Sequence, residues 1–230
     1  GPSLERMKRL CHQTWTEAKP VTIGDEVDRY LRGRGINQGA YPRTLRLHPA
    51  LGYYEKQPGQ KRSKLIASYA AMVACVQGPD GHAVTLHRTY LKEGRKALGD
   101  QSKKLLSAGI NGAAVRLDEA TEELALTEGI ETALAVRLRT GKPTWAAINC
   151  GNLERIWIPE QVRRGCIYAD NDADAEFAGQ ASAYILAQRL VREAKKAGIH
   201  RTVEVFVPRQ AGTDWADIWL ASLAKDKRAT

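Results

Sequence analysis

The sequence predicts an α/β chain, with a mixed α+β amino-terminal part followed by a mostly parallel sheet flanked by helices. Three observations predict it. After residue 121, short apolar strand-like runs alternate four times with helical stripes, the rhythm of strand–helix–strand crossovers. Before that point two longer strand-like runs face each other across a tight turn. Charge divides at the same place. Residues 1–120 hold 20 Lys and Arg against 11 Asp and Glu, whereas residues 121–230 hold 15 of each, so the whole net charge of +9 lies in the first part.

Taken in order, Leu4, Met7, Leu10, Cys11 and Trp15 form a helical stripe over residues 3–18. A short helix over 25–34 centres on Val27, Tyr30 and Leu31 and ends at Gly33 and Gly35. Residues 36–64 are rich in Gly, Pro, Lys and Arg, with a short strand at 45–47. The turn Gly78-Pro79-Asp80-Gly81 joins strands over 67–77 and 83–91. Another strand is expected over 113–117. A domain boundary is expected near 118–123, separating a domain of residues 1–120 from one of residues 121–230. Beyond it, strands are expected at 124–127, 144–149, 166–169 and 203–207. Helices are expected at 128–140, from Gly151, at 174–197 closed by Gly198, and at 215–223.

Composition narrows the function classes. At 230 residues and 43% hydrophobic the chain can bury a sizeable core. No apolar run approaches the roughly 18 residues of a membrane span, so no membrane partner is expected. Cys11, Cys75, Cys150 and Cys166 form no C-x-x-C pair, which argues against a structural zinc site and for reduced thiols in the cytoplasm. Gly1-Pro2 reads as a protease-cleavage scar, so an excised piece of a larger protein is expected. The concentrated basic charge is readable equally as the footprint of a polyanion binder and as a solvated basic face.

In an open parallel sheet, ligands bind beyond the carboxyl ends of the strands. Glu128-Gly129 follows the first strand of the second part, Asp170-Asn171-Asp172 the third, and Asp214 and Asp217 the fourth. Acids gathered at one sheet edge repel unless a counter-charge joins them, and a hard divalent cation supplies it. Each acid taken singly is equally readable as a helix-start residue. In the extended Asp-Asn-Asp stretch, alternate residues point the same way, so Asp170 and Asp172 can share an ion. Asp174 reads as the N-cap of the long helix, and Gly179 as a point of close helix–sheet packing.

The blocks Thr127-Glu128-Gly129-Ile130-Glu131-Thr132-Ala133-Leu134, Ala169-Asp170-Asn171-Asp172 with Gly179, and Thr213-Asp214-Trp215-Ala216-Asp217 together resemble the three signature blocks of a Toprim domain. Ahead of them, Tyr30-Leu31-Arg32-Gly33-Arg34-Gly35-Ile36, Leu45-Arg46-Leu47-His48-Pro49, His87-Arg88-Thr89-Tyr90-Leu91 and Lys103-Lys104-Leu105-Leu106 resemble the segment preceding Toprim in primases of phages, plasmids and mobile elements. The resemblance implies RNA-primer synthesis by nucleotidyl transfer with Mg²⁺ (or Mn²⁺). Its partners would be a single-stranded DNA template, ribonucleoside triphosphates and a helicase or zinc-binding domain outside this piece. It implies Glu128, Asp170 and Asp172 as catalytic residues, and Glu128, Glu131, Asp170, Asp172, Asp214 and Asp217 as metal ligands. Glu131 fits less closely, because the replicative primases carry an acid where this chain has Thr132.

The remaining expectations concern phosphate. Arg88, Lys103, Lys104, Gly151 and Asn152 are candidate nucleotide contacts, and Arg43, Arg46, Lys61, Arg62 and Lys64 a candidate template path. Tyr53, Tyr54 and Tyr90 are open to base stacking or to plain packing. A Toprim nuclease and a non-catalytic single-stranded-DNA-binding module are the alternatives. A topoisomerase is disfavoured, since no separate catalytic-tyrosine domain is visible.

Overall fold

The computed structural model describes residues 3–106 and 109–229; the side chains of Asp100, Gln101 and Lys104 also lie outside the description. The chain forms two compact units interleaved in sequence. The first is Gly1–Gly33, Gly39–Cys75 and Thr85–Ala108, and the second is Arg34–Gln38, Val76–Val84 and Gly109–Thr230. Among the described residues no helix is long and apolar enough to cross a membrane.

The elements run α1 (Leu4–Glu17), β1 (Lys19–Pro20), α2 (Glu26–Gly33), β2 (Leu45–Lys56), β3 (Ser63–Gln77), β4 (Ala83–Lys92), β5 (Arg95–Lys96) and β6 (Lys103–Leu105). The strands make one sheet in the order β1-β2-β3-β4-β5, with β6 on another stretch of β4. Gly78-Pro79-Asp80-Gly81 turns the β3–β4 hairpin as expected, with the Gly81 N–H donating to the Gly78 carbonyl at 2.9 Å. Two strands are longer than expected. β2 continues from 47 to Lys56, and β3 starts at Ser63 rather than 67. In the first unit Tyr53, Val73, Leu86 and Tyr90 form the core, with Cys11 and Trp15 of α1 packed on it.

The second unit continues with β7 (Val115–Arg116), β8 (Glu123–Thr127), α3 (Ile130–Thr140), β9 (Thr144–Ala146), α4 (Cys150–Arg155), β10 (Arg164–Tyr168), α5 (Ala178–Ala197), β11 (Thr202–Phe206) and α6 (Trp215–Ala229). Its sheet runs β11-β10-β8-β9-β7 and is parallel except for the antiparallel edge strand β7. The mostly parallel sheet expected from the strand–helix alternation is therefore present. Side-chain alternation explains its two covered faces. Leu124, Leu126, Ile167 and Ala169 pack with Leu153 of α4 and Ala183, Leu186 and Leu190 of α5. Ala125, Cys166 and Tyr168 point the other way, among Val136 of α3 and Trp215 and Trp219 of α6. Leu124 and Leu126 are fully buried, each stabilising the fold by about 2 kcal/mol.

Two helix starts differ from expectation, both beside the acids. α3 begins at Ile130, and Gly129, with extended backbone, is its N-cap. Glu128 therefore lies on the turn between strand and helix. α5 begins at Ala178, so Asp174 is not its N-cap. The Asp172 carbonyl accepts from the N–H groups of Ala175 and Phe177, winding residues 173–177 into turns. Glu176 and Phe177 then take left-handed backbone at φ 57° and 59°, which costs non-glycine residues about 1–2 kcal/mol each. Asp174 packs instead against Gly212, where a Cβ would stand 2.8 Å from its Oδ2.

Candidate active site

Parallel register brings the acids together. Tyr168 of β10 lies beside Thr127 of β8 and Phe206 of β11, and Thr127 lies beside Ala146 of β9. The four strands end at one level, so their following residues leave the sheet at a common edge. The Thr127 hydroxyl donates to the Gly129 carbonyl at 2.8 Å and shapes the turn that carries Glu128. After β9 the Ile148 N–H donates to the Glu128 carbonyl at 2.7 Å. Ile148 has φ 82°, a strained left-handed value for a β-branched residue. Two residues later the Cys150 Sγ donates to Glu128 Oε2 at 3.2 Å.

One donor atom each from Glu128, Cys150 and Asp172 lie within 4.8 Å of one another, a spacing that can hold a metal ion. Asp170 adjoins them. Burial, then the Glu128, Asp214 and Asp172 carboxylates, and a hydrogen bond with Glu128 push its carboxyl up to about 8. Its Oδ1 is buried without a hydrogen-bond partner. Burial and the adjacent Glu128 push the Cys150 thiol up to about 12. A buried oxygen lacking a donor, within a group of repelling carboxylates, fits a divalent cation. Glu128, Asp170 and Asp172 supply hard oxygens, and Cys150 adds a soft sulfur.

Asn171, between the two aspartates, fixes the loop and leaves them free to face the site. Its N–H donates to the Thr213 carbonyl, its carbonyl accepts from Gly212, and its Nδ2 donates to the Pro208 carbonyl at 2.8 Å. Its Oδ1 accepts from Gln180 Nε2 at 2.7 Å, and Gln180 Oε1 accepts from the Asp172 N–H at 2.9 Å. Gly179 has the close approach expected of it. A Cβ there would stand 2.7 Å from both the Asp170 carbonyl oxygen and Asp172 Oδ2, so a side chain would push the acids out of place.

The third block is held by reciprocal bonds at the start of α6. The Asp214 N–H donates to Asp217 Oδ2 at 2.9 Å, and the Asp217 N–H donates to Asp214 Oδ1 at 2.8 Å. Burial raises the Asp214 carboxyl, tempered by the Asp217 N–H, the Thr132 hydroxyl and Arg34. Asp217 therefore serves the helix start. Arg34 Nη2 stands 4.0 Å from Asp217 Oδ1, placing a cation beside the acids within the same unit. Gly35 (φ +74°) seats this segment on α6, since a Cβ there would meet Leu220 Cδ1 at 3.0 Å.

The other candidates fall as follows. Glu131 is buried in the first turn of α3, outside the trio of Glu128, Cys150 and Asp172. The Asn152 side chain is spent on the framework: its Nδ2 donates to the carbonyls of Ala113 and Ala147, and its Oδ1 accepts from the Gly112 N–H. Its own N–H donates to the N-cap Asn149, and Gly151 precedes it in the six-residue α4. Arg88 and Lys103 are in the first unit, on β4 and β6. The half-buried Arg88 guanidinium lies 5.6 Å from the Tyr90 ring centre, and burial lowers its pKa. Lys104 pairs with Arg88 through the backbone, but its side chain is outside the described residues. Arg46 lies 4.2 Å over the Trp15 ring and donates to the Trp15 carbonyl at 2.8 Å, fastening α1 to β2. Arg43, Lys61, Arg62 and Lys64 are exposed. Sequence reasoning did not single out Arg34, Cys150, Asn171 or Gln180 as parts of the site. Asn171 had a signal in standing between two candidate ligands, whereas nothing in the sequence ties Arg34, Cys150 or Gln180 to the acids.

Residues 123–225 match the Toprim domain family, and residues 5–117 match a family described as a domain of unknown function (DUF7146). No curated protein matches the sequence. Among solved structures, a DNA primase domain from Pseudomonas aeruginosa is similar at 11% identity and TM-score 0.55, over 99% of this chain and 78% of that one. A DnaG primase catalytic domain bound to ssDNA gives 11% identity and TM-score 0.56, over 98% and 79%. The RNA polymerase domain of the Mycobacterium tuberculosis primase DnaG, in complex with double-stranded DNA, gives 13% and 0.53, over 96% and 78%. At these identities the likeness is one of fold. With acids at the ends of β8 and β10 and at the start of α6, residues 123–225 carry a Toprim domain, and the chain has the fold seen in DnaG-type primase catalytic cores.

Proposed function

We propose that the chain is the catalytic core of a DNA primase, joining ribonucleotides into short primers on single-stranded DNA. The observation that carries this reading is the meeting of Glu128, Asp170 and Asp172 beyond two neighbouring parallel strands of a Toprim domain. The ssDNA-bound relative of like fold supports the choice of template.

Glu128, Asp170 and Asp172 would hold a divalent cation, Mg²⁺ by their oxygen chemistry. Bound there, it would supply positive charge to the reacting phosphate and lower the pKa of the attacking hydroxyl. Without the cation, burial and its neighbouring carboxylates hold a proton on Asp170 near neutral pH, and cation binding would displace it. Glu128, on a turn fixed by Thr127 and Ile148, would bind the cation or act as the general base that accepts the proton of a primer 3′-hydroxyl. Arg34 supplies the cation that an anionic triphosphate needs beside acids. Template binding falls to the basic first unit, and helicase or zinc-binding parts would act from outside this chain. We place the protein in the cytoplasm, where ribonucleotides are available and four free thiols stay reduced.

The test is direct. Incubation with ribonucleoside triphosphates, single-stranded DNA and Mg²⁺ should yield short RNA whose sequence follows the template. Cleavage of the DNA instead would identify a nuclease, and binding without either product a non-catalytic module.

A further inference from the structure

The outer end of the β2–β3 hairpin stands apart from the rest of its unit. Residues 58–66 are all exposed, including Ser63, Lys64, Leu65 and Ile66 in succession on β3. Successive strand residues point to opposite faces, so this part of the ribbon is bare on both. Pairing continues through it nonetheless: Tyr54 faces Leu65, Glu55 faces Lys64 and Lys56 faces Ser63.

Its composition is not that of an idle loop. Tyr54 is 54% exposed, Leu65 50% and Ile66 46%. Gly52 lets the first two lie across the strand, for a Cβ there would meet Tyr54 Cε2 at 2.9 Å and Leu65 Cδ1 at 3.2 Å. An aromatic ring is thus laid over the backbone beside an aliphatic neighbour, with more than half its area open to solvent. Lys56 shares the face of this pair, Lys64 lies on the other face across from Glu55, and Lys61 and Arg62 belong to the connection between the strands; all four are exposed, and none forms an ion pair among the described residues. The acid of the ribbon, Glu55, accepts from the Tyr53 hydroxyl at 2.9 Å.

We propose that this ribbon is a single-strand-binding arm: an unstacked base lies on the Tyr54–Leu65 plate, and flanking phosphates are held by Lys56, Lys61, Arg62 and Lys64. A flat π-face matches any base, and uncompensated cations match a phosphate chain. A duplex keeps its base faces stacked internally and offers the plate nothing. The inference rests on the reading that this chain acts on nucleic acid. It narrows template binding to one element, keeps Tyr54 of the three stacking candidates, adds Leu65 and Lys56, and leaves out Arg43 and also Arg46, which holds α1.

The experiment is a titration of fluorescently labelled oligodeoxythymidylate at three or more salt concentrations. It compares wild type, Tyr54→Ala, Tyr54→Phe and the quadruple Lys56/Lys61/Arg62/Lys64→Ala variant, with melting curves as a check on folding. Tyr54→Ala should weaken binding at least about fivefold at every salt concentration, and Tyr54→Phe should restore most of it. The quadruple variant should lower the magnitude of the salt slope by about 0.7 for each phosphate that it no longer neutralises. Wild-type affinity in Tyr54→Ala together with an unchanged slope in the quadruple variant would overturn the arm. Preference for a duplex of equal length, or for anionic lipid vesicles over the oligonucleotide, would do so too. If the variants weaken binding as expected while the wild-type chain makes no primers, the arm stands and the primase reading falls. If primers are made and the variants bind normally, the reverse holds.

Discussion

In β8, Leu124, Ala125, Leu126 and Thr127 are all buried, whereas in β3 Ser63, Lys64, Leu65 and Ile66 are all exposed. The two stretches share one backbone form and differ in what surrounds it. Helices cover both faces of β8, so the residue that leaves its carboxyl end is located by packing from every side, as a metal ligand needs. The outer ribbon is located by its partner strand alone. Its apolar and basic side chains contribute little to the core, and their chemistry is left for something outside the chain.

The comparison breaks first at stability. Leu126→Ala should cost about 2–5 kcal/mol in a urea melt, while Leu65→Ala should stay within about 0.5 kcal/mol of wild type. Equal losses would mean that the ribbon is part of the core.

Gly179→Ala probes how the buried sheet positions the acids. With the new Cβ at 2.7 Å from the Asp170 carbonyl oxygen and Asp172 Oδ2, it should lose about 1–3 kcal/mol. It should also bind Mn²⁺ more weakly by calorimetry. Unchanged Mn²⁺ affinity would mean that the loop shifts without disturbing the ligands.

A pH series probes the same acids. In the unfolded chain an Asp carboxyl titrates near about 3.9; in the fold Asp170 is pushed up to about 8. Between these values the folded protein holds a proton that the unfolded chain has released. Raising the pH through that window should therefore destabilise the metal-free protein. Each 1 kcal/mol lost should lower Tm by about 2–4 °C. Asp170→Asn, or saturating Mg²⁺, should flatten the dependence. The smallest expected effect is that of Cys150→Ser, which should leave Mg²⁺ binding little changed while weakening binding of the thiophilic Cd²⁺.

Much of the second unit was legible in the sequence. Leu124 and Leu126, Ile167 and Ala169 mark strands as short apolar runs, and the acids Glu128, Asp170 and Asp172 follow them directly. Gly179, out of place in a helix, pointed to close packing. The helix starts were harder to read, because an acid before a helix is equally a ligand and a cap. Glu128 lies outside α3, and Asp174 leaves the capping of α5 to a strained Phe177, since the chain must turn around the Asp172 carbonyl first. The ribbon's basic residues and Tyr54 were legible as candidates, but its strands were not: beyond Tyr53 neither face is buried, so residues 54–56 and 63–66 show no apolar–polar alternation. Arg34 was hidden by distance along the chain, since only the fold brings it to Asp217.

The most direct test of the central claim follows ribonucleotide incorporation on single-stranded DNA in Mg²⁺ by the wild-type chain, Asp170→Asn and Asp172→Asn, with DNA affinity measured on the same preparations. Template-directed RNA is expected from the wild type and a loss of about a hundredfold or more in each variant, with single-strand binding and its salt slope unchanged. Synthesis that survives in both variants, or falls only as far as their DNA affinity falls, would contradict that claim.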